Sequence, residues 1–299
     1  MDTDEQTLLT DTLRKTMAAA GGAELYPALR ELGWYELLTD SAEIAVPLAF
    51  RLLGETGTHA PLINDVLAYA AGRPFGEPIP LPFTGGRWVL WTEQSGSGPA
   101  AGVTPEPRYR AEPTVLLDPE LPLSVLGAAA ESPAAEPVPL AQARRALSWW
   151  LTGSARAVLA LARRHALERV QFGKPVAGFQ AVRHRLAETL VAIEGAEAAL
   201  AVGPSDAHHP AHPAGAVPQH YDCLAAALAK AAAGRAALVA ARHCQQVLGG
   251  TGFTAEHEFH RHYRRILVLD GLLGSSRDLT REAGAILRER GYAPRLAHL

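Results

Sequence analysis

From residue 139 onward, apolar side chains recur at intervals of three and four, the period of an amphipathic helix. Ala155, Val158, Leu159, Ala162 and Ala166 trace one stripe, with Arg163, Arg164 and Glu168 on other faces. Val182, Leu186, Leu190, Ile193 and Leu200 trace a second. Between them Gly173 and Pro175 break the pattern, because glycine accepts a left-handed helix end and proline cannot continue a helix. The spacing predicts helices over roughly 139–170, 178–202 and 219–248, with shorter ones near 257–268 and 275–290. Long helices joined by a short turn pack antiparallel, so 139–299 reads as an antiparallel four-helix bundle.

Residues 1–72 carry shorter helical patterns. Gly21 and Gly22 close the first and Gly33 ends the second. Asp40 and Ser41 stand where a cap belongs before a third, which has Pro47 near its start and runs toward Gly54. Leu62, Val66, Leu67 and Ala70 form one side of a fourth. Residues 73–138 change character. Proline and glycine become frequent, and RWVLWT and TVLLD are short runs of β-formers. The expected architecture is therefore mainly α: an N-terminal helical domain (1–72), a small middle β region (73–138) and the C-terminal bundle (139–299).

Composition narrows the function classes. With 299 residues, 48% of them hydrophobic, the chain can bury a large core. Its net charge of −3 lacks the basic excess of a nucleic-acid binder. The acidic start MDTDEQTLL has no signal-peptide character, and no unbroken apolar run approaches the ~20 residues of a membrane span. Cys223 and Cys244 lie outside any CxxC spacing and read as reduced thiols of a cytoplasmic protein. His208, His209 and His212 fall in a proline-rich linker without an accompanying carboxylate cluster, so no metal site is expected there.

The turn between the two first bundle helices carries Arg169, Gln171, Phe172, Lys174 and Gln180. Arginine offers a planar fork of donors suited to a diphosphate, phenylalanine a flat face, and glutamine both a donor and an acceptor. Later, Gln246 is followed by Gly249, Gly250 and Gly252, glycines that permit close approach of a ligand or backbone. The run ALERVQFGKP with its following FQ, and CQQVLGGTGF, resemble the acyl-CoA dehydrogenase family. RELGWYELL and IAVPLAFRLLGETG match its N-terminal domain more faintly, and WTEQSGSG echoes its flavin-contacting signature without the proline and aspartate.

That resemblance implies FAD as cofactor and α,β-dehydrogenation of an acyl-CoA thioester. It assigns Arg169, Gln171, Phe172, Gln180, Gln246, Gly249 and Gly250 to the flavin of a neighbouring subunit. It also places the family's Glu-Gly base pair on Asp270–Gly271, where aspartate is one methylene shorter and Leu272 and Leu273 replace polar followers. The alternative base position, before Arg144, is Ala143. Intact motifs for a neighbour's cofactor beside a reduced centre of its own fit a subunit that completes a full-length paralogue within a heterotetramer. Two other readings remain: a homotetramer using Asp270 as base, and a non-enzymatic helical scaffold of the same fold.

Overall fold

The computed structural model describes residues 2–91, 111–112, 118–126, 140–201 and 219–292. The TVLLD strand lies almost wholly outside these, as do WTEQSGSG beyond Trp91 and the histidine-bearing linker.

Five helices build the N-terminal part: α1 (Thr3–Ala19), α2 (Leu25–Glu31), α3 (Trp34–Asp40), α4 (Ala42–Thr56) and α5 (Leu62–Ala70). Helix α3 was not expected, and it begins after Gly33 at φ +92°. Ser41 precedes α4 but its side chain makes no capping bond. Gly54 does not end α4, which continues to Gly57 at φ +67°. The reason lies across the interface. A methyl group on Gly54 would collide with the Trp150 carbonyl, and one on Gly153 with the Arg51 carbonyl. The two glycines let α4 and the first bundle helix touch backbone to backbone, a contact no local pattern announces.

The β region is a four-stranded antiparallel sheet of β1 (Pro80–Phe83), β2 (Arg87–Trp91), β3 (Ala111–Glu112) and β4 (Leu123–Leu126), in the order β1-β2-β4-β3. Its join to the helices is aromatic. Trp91 lies 5.5 Å from Trp150 between ring centroids, and Phe50 meets Trp150 edge-on at 5.9 Å. Polar links reinforce it: Asn64 donates to the Trp91 carbonyl at 3.0 Å. Buried Asp65 accepts from the Tyr26 hydroxyl at 2.9 Å and from Trp34 Nε1 at 3.0 Å.

The C-terminal half contains α6 (Leu140–Glu168), α7 (Gln180–Ala201), α8 (Gln219–Leu248), α9 (Phe259–Gly271) and α10 (Ser276–Arg290). Helix α6 packs on α4, α7, α8 and α9, and α10 lies against α8. Arg145 at the start of α6 donates to the Leu200 carbonyl at the end of α7, so these two helices run antiparallel. Arg144 of α6 and Lys230 of α8 both reach the loop after α9, through the Leu273 and Gly274 carbonyls. Helices α6 and α8 therefore run the same way. Among the described residues one helical stretch, Cys223–Phe253 (most of α8 and the turn after it), is long and apolar enough by composition to cross a membrane, an outcome that reading for unbroken runs missed because alanines carry it. Its most apolar window is 61% buried inside the fold, as suits a central core helix.

Candidate functional site

These directions bring the C-termini of α6 and α8 and the N-terminus of α7 to one end of the bundle. Between α6 and α7 the chain forms a tight hairpin, β5 (Val170–Gln171) with β6 (Lys174–Pro175). The Val176 amide closes it by donating to the Arg169 carbonyl at 2.8 Å. The two turn residues are Phe172 at φ +54° and Gly173 at φ +77°. Positive φ at both positions matches the type I′ hairpin turn, which strongly favours Asn-Gly. A phenylalanine held left-handed costs on the order of 1–2 kcal/mol. The residue is nevertheless 92% exposed, its ring touched edge-on by Phe179 at 6.1 Å. Lys174 Nζ stands 4.4 Å over the Phe179 ring and stiffens the turn.

Arg169, Gln171, Gln180 and Gln246 are all exposed. Gln171 Nε2 donates to the neighbouring Val170 carbonyl at 2.7 Å. Gly249, at φ +59°, and Gly250 have open space where a side chain would stand, whereas Gly252 is buried against Leu248. The glycine turn follows the C-terminus of α8 and so lies at the same end of the bundle as the hairpin. Burial first, and then the charges of Arg169 and His257, push the His165 imidazole below its ordinary pKa. Helix α7 opens without an acidic residue in its first turn. The positive end of its dipole, with Arg163, Arg164, Arg169 and Arg183 nearby in the chain, makes this end suited to anions. The structure thus gathers the predicted cofactor residues at one end, in exposed positions.

Asp270 is elsewhere. It sits at the end of α9, far along α8 from the glycine turn, and its Oδ1 accepts from the Ser276 amide at 3.1 Å. Sequence reasoning passed over its most unusual neighbour, Lys230, which is fully buried and donates to the Asp270 carbonyl at 3.0 Å and the Gly274 carbonyl at 3.2 Å. Burial, helped by Arg144 and opposed by Asp270, lowers the Lys230 pKa to about 8. A lone lysine within LAAALAKAAAG was the available signal. Phe253, 71% exposed beside the glycines, was likewise not singled out.

Residues 136–283 match the family described as "Acyl-CoA dehydrogenase, C-terminal domain". These residues form an acyl-CoA dehydrogenase C-terminal domain. It is 33% identical over 175 residues to acyl-CoA dehydrogenase IpdE2 of Mycobacterium tuberculosis; the match covers 58% of this chain and 51% of that protein. The matched part thus spans about half the length of that relative. Among solved structures, the Tcur3481-Tcur3483 steroid ACAD G363A variant superposes with a TM-score of 0.71 at 21% identity, covering 96% of this chain and 99% of that one. The ChsE4-ChsE5 complex from Mycobacterium tuberculosis gives 0.62 at 19% identity, covering 99% of each chain. These likenesses establish the fold.

Proposed function

We propose that this chain is a subunit of an FAD-dependent acyl-CoA dehydrogenase and completes the flavin site of a catalytic partner. The observation that carries this reading is the convergence of the Arg169–Gln180 hairpin and the Gln246–Gly250 turn at one exposed end. A diphosphate with a flat ring system fits this chemistry: an arginine fork, an open pair of glycines, and an aromatic face held outward at a conformational cost. Bound FAD supplies the acceptor for the hydride that leaves the β-carbon of an acyl thioester. Arg169 contributes a charge-assisted hydrogen bond to phosphate, worth roughly 1.5–3 kcal/mol. Gln180 and Gln246 orient the cofactor by hydrogen bonding, and Gly249 and Gly250 let it approach the backbone. The name of the ChsE4-ChsE5 complex supports a heteromeric assembly. So do Val191 and Leu190 on α7, 70% and 41% exposed, which with Phe172 offer apolar area for a second chain.

Co-expression with a full-length acyl-CoA dehydrogenase from the same organism tests the reading. The expected product is a heterotetramer with one flavin per pair of unlike chains, measured by absorbance and light scattering. Alone, the chain retains little FAD. A homotetramer holding one FAD per chain and active without a second protein overturns the proposal.

A further inference from the structure

The loop after α9 shows an arrangement that the trans-acting flavin site does not require. Asp270 Oδ1 receives the Ser276 amide at the opening of α10, and the same oxygen lies where a methyl on Gly234 of α8 would have to stand. Lys230, also on α8, binds the Asp270 and Gly274 carbonyls and so grips the loop at both ends. In the middle, Leu273 sits left-handed at φ +59°. Its amide donates to the Pro82 carbonyl of β1 at 2.8 Å, and its carbonyl accepts from Arg144 Nε of α6 at 3.1 Å. Strained backbone of this kind persists where its surroundings over-determine it. The side facing the sheet is filled: a methyl on Gly271 would lie 2.9 Å from Phe83 Cζ and 3.2 Å from the Thr84 methyl.

We infer that residues 270–276 form a structural clasp joining β1, α6, α8, α9 and α10, in which Asp270 holds the first amide of α10 beside the Ser275 cap and is a positioning residue, not a base. A base for α-proton removal needs an oxygen within about 3 Å of the substrate carbon's hydrogen in a plausible pose. Here the carboxylate is turned onto Gly234 and the Ser276 amide, and Phe83 and Thr84 occupy the space over Gly271. The inference deepens the partner-subunit reading by silencing this chain's own centre, yet its main test is independent of that reading.

Thermal melting of the full chain, with its partner where one co-purifies, decides the geometry. Removing this acceptor with Asp270→Ala is expected to lower Tm by about 3 °C or more. Gly234→Ala is expected to lower it in the parent and by much less in the Asp270→Ala background, because the clashing oxygen is then gone. An unchanged or raised Tm for Asp270→Ala, or equal Gly234→Ala losses in both backgrounds, overturns the clasp. For chemistry, octanoyl-CoA is added anaerobically to the flavin-loaded complex and bleaching of the flavin is followed. Asp270→Asn is expected to keep flavin content and bleaching within twofold of the parent. Loss of bleaching at unchanged flavin content makes Asp270 a base and sinks the inference. A parent complex that holds no flavin counts against the partner-subunit proposal instead, and the melting result still decides the clasp.

Discussion

At the scale of single residues, Phe172 is the most telling. A left-handed phenylalanine with its ring in water gains the isolated fold no more than an edge contact with Phe179, and asparagine suits the turn better. Phe172→Asn is therefore expected to leave Tm unchanged or raise it slightly, by relief of roughly 1 kcal/mol of backbone strain. In the complex it is expected to lose flavin severalfold. A fall in Tm with flavin unchanged would show that the ring serves the fold. Arg169→Ala is expected to weaken flavin retention tenfold or more, at about 1.4 kcal/mol per decade, with the melting curve intact. Unchanged flavin occupancy in the purified complex contradicts that role. Together the two variants separate stacking from phosphate binding.

At the scale of elements, the crossing of α4 and α6 sets how the N-terminal helices sit on the bundle. Gly153→Ala forces a methyl onto the Arg51 carbonyl, so the helices must part and strip contact from Phe50 and Trp150. Overpacking of this kind costs about 1–3 kcal/mol, read as a Tm loss of several degrees. A variant that melts with the parent would mean the crossing is looser than drawn. The same crossing explains what the sequence could and could not reveal. Helices α6, α7, α8 and α10 were legible because their apolar period is local. The purpose of Gly54 was not, since a glycine looks like a helix stop until Gly153 and Trp150 are placed against it. The hairpin residues were legible as chemistry through family resemblance, but the left-handed state of Phe172 was hidden, as Phe-Gly is not a usual turn pair. The grip of Lys230 on two carbonyls of another loop has no local trace beyond an isolated charge.

At the scale of the whole molecule, buried titratable groups set a direction for pH dependence. Arg265 of α9, buried, donates to Asp118 at 3.0 Å and to the Gly57 and Thr58 carbonyls at 2.6 and 2.9 Å, tying the loop after α4 to the strand region. His59 and His262 lie in its field. Burial first, with Arg265 and Arg261 beside them, lowers both imidazoles to about 4. Between pH 6.5 and 4 the unfolded chain therefore binds more protons at these sites than the folded one, and stability falls as the pH drops through that window. Asp65 acts oppositely. Burial raises it to about 6, against the lowering hydrogen bonds from Tyr26 and Trp34, so the folded state binds the extra proton between 3.8 and 6 and regains stability on acidification. At 1.36 kcal/mol per pKa unit, two histidines outweigh one aspartate, leaving a net loss of order 2–4 kcal/mol between pH 6.5 and 4. Urea melts at pH 7, 5.5 and 4.5 measure it. His59→Gln with His262→Gln is expected to flatten the slope, because His165, also lowered by burial, and Asp65 then act in opposite directions. A double variant that keeps the parent's acid sensitivity would place the proton-binding groups elsewhere in the fold.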